Sequence, residues 1–200
     1  MKESLRLAVV RGDVAAVRAE IAKLWFFEKG VLNENYGNHS LGAKIGAIFG
    51  ESSYSDRTLL SEAVFAEYTP VVVVLLEAGA TIKAAFPDIT TFSGNPLFWV
   101  IRKNNLALAE VLLSSGINVN QRTVGAIGGT TVLHYAATLG LVDFVRLFLA
   151  HGAVSVRDNE GRTPAACALA RGHRALVERC FPGELTVAAP PPPTPPRPFI

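Results

Sequence analysis

The chain has 200 residues, half of them hydrophobic and 18% charged, with a formal net charge of +2. That is enough apolar material for one domain with a buried core, and it excludes a disordered chain. The small net charge excludes nucleic acid or an acidic membrane surface as a partner held by bulk attraction, so any basic patch has to be local.

Charges at Glu3, Arg6 and Arg11 interrupt the first residues, which do not read as a secretory signal. Two apolar runs follow, one around Leu5 to Val10 and one from Val14, separated by Gly12. The second is predicted to continue as helix through Ile21, Leu24 and Trp25 to Phe27, stopping at Gly30. Lys2, Glu3 and Arg6 are expected on the polar outer face of a truncated first unit. From 31 to 55 the pattern is lost. This stretch, with Gly42, Gly46 and Gly50, is expected to be an inserted loop.

The pattern returns at Thr58, Leu60 and Ala63, with Glu67 where Gly12 stood and Pro70 opening the next helix, where its missing N–H does no harm. Val71 to Val74 has strand propensity. Repetition of the helix pair nevertheless predicts helix there, because the chain repeats itself with a period of about 33 residues. A third unit starts at Asn95, a predicted helix N-cap, followed by Pro96. Asn104 fills the left-handed turn, and Leu106, Ala109, Leu112 and Leu113 lead to Gly116.

The best-formed unit is Gly129 to Asp158. Val132 to Leu139 is closed by Gly140, and Leu141, Phe144, Val145 and Phe148 then fall on one helical face before Gly152. Leu149 is also expected to pack between repeats. A fifth unit, from Asn159, carries Thr163, Pro164, Gly172 and His173 and ends at Phe181, with Arg171, Arg174 and Arg179 on an outer face. The uncharged stretch Thr123 to Val142 is long enough to cross a bilayer, but its glycines and His134 make it a repeat instead. Past Gly183 the run of prolines reads as a tail in extended polyproline conformation.

No catalytic constellation is present. There is no His-Glu-x-x-His or Gly-x-Ser-x-Gly, and the loop at Gly125 lacks the Lys-Ser/Thr that a phosphate loop requires. No metal and no cofactor are expected. Cys167 and Cys180 give neither a disulfide framework nor metal spacing, which fits an intracellular location, cytoplasmic or nuclear.

The unit at Gly129 resembles an ankyrin repeat: Gly129, Thr131, Leu133, His134, Ala136, Ala137, Gly140, Gly152 and Ala153 fall on that pattern, with Val132 in place of proline and Leu141 in place of histidine. The resemblance extends over roughly Leu5 to Arg179, less the insert. It implies an all-α ankyrin-repeat solenoid of about five stacked helix-turn-helix units. That domain would span residues 1–183, with 31–55 inserted and 184–200 a disordered proline-rich tail. His134 and His173 are then expected to hold turns and neighbouring units.

The implied function is non-enzymatic protein–protein recognition on a concave face made of the fingers and first helices. The alternative is a substrate-recognition adaptor of a larger enzyme complex such as a ubiquitin ligase. The family's contact positions, carried over by residue, are Arg11, Tyr54, Arg57, Phe65, Phe92, Arg102, Lys103, Thr130, Thr138, Leu139, Arg162 and Arg171. Arginine and aromatic residues are enriched at interface hot spots, and the cations make this face locally basic. An acidic protein or peptide is therefore the expected partner, with no nucleic acid and no membrane, and the protein is expected to be a monomer. Pro192, Pro195 and Arg197 form a Pro-x-x-Pro-x-Arg arrangement that resembles an SH3-domain ligand.

Overall fold

A computed structural model of the chain describes residues 2–24, 58–124 and 128–184. The predicted insert, Tyr54, Arg57, Trp25 to Phe27 and all of the proline-rich tail after Glu184 lie outside these residues. The regular elements among the described residues are all helical. They fall into two compact units, one up to Asn118 and one from Val119.

The first unit contains α1 (Lys2–Val10), α2 (Val14–Leu24), α3 (Leu59–Phe65), α4 (Thr69–Glu77), the short α5 (Ile82–Ala85), α6 (Pro96–Arg102) and α7 (Leu106–Ser114). First helices stack on first helices, α1 on α3, and second helices on second helices, α2 on α4 and α4 on α7. None of these helices is long enough to be stable alone, so the apolar faces they share account for their order. Leu5, Val17, Leu60, Leu75, Leu97, Ile101 and Leu112 are fully or almost fully buried in those faces.

Local signals start each helix. The Thr58 hydroxyl accepts from the Ser61 N–H at 3.2 Å, and the Asn95 side chain caps α6 by accepting from the Leu97 N–H at 3.0 Å. Asn105 does the same for α7 through Leu108. Pro70 and Pro96 sit in the first turns of α4 and α6, as expected. The valine run Val71 to Val74 is helical: stacking of α4 between α2 and α7 overrides its strand propensity.

The inter-helix turns require a left-handed residue. Gly12 supplies it with φ 68°, and Glu67 and Asn104 take the same conformation at 61° and 54°.

The second unit contains α8 (Val132–Thr138), α9 (Val142–Ala150), α10 (Pro164–Ala170) and α11 (Arg174–Cys180), followed by a 3-10 turn at Pro182–Glu184. Again α8 packs on α10 and α9 on α11. Before α8 the Thr123 N–H donates to the Thr130 carbonyl at 2.9 Å, and the Gly129 N–H donates to the Thr123 carbonyl at 2.8 Å. Gly140, at φ 73°, lies under the His173 imidazole, where a Cβ would come within 2.7 Å of the ring. His173 thus rests on the turn of the preceding repeat.

His134 has two duties. Its Nδ1 accepts from the Thr131 N–H at 3.2 Å, closing a capping box at the start of α8, and its Nε2 donates to the Arg162 carbonyl at 3.1 Å in the next repeat. Burial holds its pKa below the usual value, so the ring is neutral.

Two packing expectations are corrected. Arg6 is not on a polar outer face: it is 5% exposed, and its guanidinium meets the equally buried carboxylate of Glu62 at 2.7 Å. The stack continues on that side through α3, which supplies the counter-charge. Leu149 is only partly buried, while Phe144, Val145 and Phe148 are fully buried. The apolar face of α9 therefore ends at Phe148, and Leu149 lies on its flank.

Candidate protein-recognition surface

In the first unit, α3 and α6 bring an aromatic group to their C-terminal ends. Phe65, the last residue of α3, meets Trp99 edge-on at 5.2 Å and Phe86 at 5.8 Å. Phe86 follows α5 and is buried, whereas Phe65 and Trp99 are partly exposed. Trp99, Arg102 and Lys103 are spaced three and four residues apart on α6 and its cap, so they share a helix face. The Arg102 guanidinium lies 5.8 Å from the Trp99 ring centroid and the Lys103 ammonium 5.0 Å, both within cation–π range. The Glu67 carboxylate approaches the same ammonium at 3.5 Å.

Other predicted contact residues are placed differently. Phe92 stacks at 4.4 Å on the buried Phe98 and so anchors the loop before α6. Arg11 is exposed in the turn after α1. Tyr54 and Arg57 lie outside the described residues.

In the second unit, Leu139 is 43% exposed and Arg171 is exposed at the end of α10. The Thr138 hydroxyl donates to the His134 carbonyl at 2.7 Å, and Thr130, just before α8, is partly buried.

Arg162 is ion-paired within its own finger. Its guanidinium donates to Asp158 at 2.9 and 3.0 Å and pairs with Glu160 at 2.7 Å. Arg157 of the same finger donates to the Gly161 carbonyl at 2.7 Å, so two arginines and two carboxylates leave that finger charge-balanced. Burial pushes the Asp158 carboxyl upward, but the Arg162 backbone and side-chain hydrogen bonds outweigh it and hold the group below the ordinary carboxylate range.

Trp99, the residue that joins the two cations to Phe65, was missed by the sequence reading. Its distance of three and four positions from Arg102 and Lys103 was the available signal. Among the described residues no group of three or more His, Cys, Asp or Glu could hold a metal ion, and no helix is long and apolar enough to cross a membrane.

Comparison with known proteins adds to this geometry. Residues 97–180 match the family described as ankyrin repeats (3 copies). The B-cell lymphoma 3 protein homolog of Mus musculus is 33% identical over 120 residues, 60% of this chain and 25% of that protein. Rabankyrin-5 of Homo sapiens is 39% identical over 88 residues, 39% of this chain and 8% of that protein. A putative E3 ubiquitin-protein ligase, XBAT34 of Arabidopsis thaliana, is 42% identical over 96 residues, 47% of this chain and 25% of that protein. The chain thus spans a quarter or less of the length of each of these relatives.

Proposed function

Residues 97–180 belong to the ankyrin-repeat family, whose members are protein-interaction modules, and from that premise we propose that this chain is a non-enzymatic recognition module for an acidic protein or peptide. The observation that carries the reading is the partly exposed pair Phe65 and Trp99 flanked by Arg102 and Lys103. Aromatic rings beside cations offer an apolar contact and charge steering together. Arg11 and Arg57 extend the basic character in this reading. Arg171, Leu139, Thr138 and Thr130 supply contacts on the second unit, and Arg162 does so only as part of its ion-paired finger.

Reversing Arg57 and Arg102 to Glu and measuring affinity for a captured partner over a range of salt tests the reading. A large loss of affinity with a flattened salt dependence is expected. Unchanged affinity and unchanged salt slope overturn it.

A second reading, an adaptor that presents substrates to a ubiquitin ligase, draws support from the likeness to the Arabidopsis protein. Ligase subunits in the captured complex, retained by wild type and lost with the charge reversal, favour it over a free-standing module. The tail motif Pro192, Pro195 and Arg197 is a separate proposal, an SH3-domain ligand. Deleting residues 190–200 abolishes SH3 binding if the motif is used and leaves it intact if it is not. The free thiols of Cys167 and Cys180 suit an intracellular setting.

A further inference from the structure

Glu67 occupies a position that disfavours it. At φ 61° it holds the left-handed turn that Gly12, Gly140 and Gly172 hold in their own helix pairs and Asn104 holds in the pair after it. Glycine is indifferent to that conformation and asparagine offsets its cost by local hydrogen bonding of a short polar side chain, whereas glutamate bears the contact of Cβ with the following carbonyl without that compensation. The turn itself therefore gives no reason for a glutamate.

The surroundings give one. The carboxylate reaches 3.5 Å from the Lys103 ammonium, and that ammonium is 5.0 Å from the centroid of the Trp99 ring. The two side chains are 32% and 36% exposed, so water and other solutes reach the pair. Lys103 is one of the two cations beside the aromatic pair, and Glu67 already covers it with a negative charge.

We propose that Glu67 is a specificity-determining residue that acts as a built-in competitor for the acidic ligand. The inference rests on the acidic-ligand reading above. An incoming carboxylate must replace Glu67 on Lys103 before an adjacent apolar side chain settles on Trp99 and Phe65. A weakly acidic segment gains too little from Lys103 to make that exchange. A segment with several carboxylates beside an apolar residue makes it readily, so Glu67 raises the negative charge a partner needs.

The test uses the full chain in a Trp25→Phe background, which leaves Trp99 as the single indole. Its fluorescence is titrated with a capped peptide of alternating glutamate and leucine, and with the same peptide carrying glutamine for glutamate. Glu67→Gln and Glu67→Gly are each expected to bind the acidic peptide about two- to five-fold more tightly than Glu67 at low salt, the range of an exposed ion pair. The gain should shrink as ionic strength rises, and the neutral peptide should not register it. Lys103→Gln should weaken acidic binding and erase the gain from Glu67→Gln in the double variant.

If the Glu67 variants bind no more tightly while Lys103→Gln still weakens binding, the competitor role falls and the acidic reading stands. If no variant distinguishes the acidic from the neutral peptide, both fall.

Discussion

The Arg6 guanidinium and the Glu62 carboxylate meet at 2.7 Å between α1 and α3, with only 6% and 4% of the two side chains exposed. The second Glu62 oxygen is buried too and has no hydrogen-bond partner among the described residues. Removing one member of such a pair strands the other charge in the interior. Arg6→Ala or Glu62→Ala should therefore cost about 3–5 kcal/mol in urea denaturation, and replacing both by methionine and leucine should recover most of it. Equal losses in the single and double variants would show that packing, not charge, is what the pair contributes.

Glu67→Gly should stabilise the fold. Relief of the left-handed conformation is worth roughly 1–2 kcal/mol, against less than about 1 kcal/mol for the exposed pair with Lys103. A net gain of about 1 kcal/mol in chemical denaturation is expected. A loss would mean the ion pair outweighs the turn.

His134 sets a pH dependence whose sign follows from its burial. Its folded pKa lies below the ordinary value, so the unfolded chain takes up a proton first as pH falls. Its contribution to stability is complete above about pH 6.5 and is lost progressively below it, down to the folded value. The melting temperature should fall on that limb. His134→Gln should start lower at neutral pH and change less on acidification. Asp158, also depressed, adds a loss in a separate window, as pH drops below the ordinary aspartate value toward its folded one.

Phe148 and Leu149 are adjacent on α9 and should respond differently. Phe148→Ala removes a fully buried ring and should cost about 3–5 kcal/mol, while Leu149→Ala on the flank should cost well below the usual 2–5 kcal/mol for a core leucine. Equal losses in denaturant titrations would place Leu149 in the core after all.

What could be read from the sequence was what depends on near neighbours. The turn positions Glu67 and Asn104 were legible because they recur in phase with Gly12 and Gly140, and the Asn95 cap because its acceptor is two residues away. The helical face of α9 was legible up to Phe148. Arg6 was misplaced because its counter-charge stands 56 positions later, where no local pattern points to it. The ion pairs of Arg162 with Asp158 and Glu160 were legible in principle, because both carboxylates lie within four positions of it. Trp99 becomes legible only when Arg102 and Lys103 are taken with it as one helix face, since the family's contact positions are single residues.

The His134 ring joins the first turn of α8 to the Arg162 carbonyl, 28 residues further on. Freeing either nitrogen lets the ring turn and releases the other, so the start of one repeat and the finger of the next open together rather than in sequence. In native-state hydrogen exchange, the slow amides of α8 and those around Asp158 to Thr163 should therefore share one opening free energy and belong to one cooperative block.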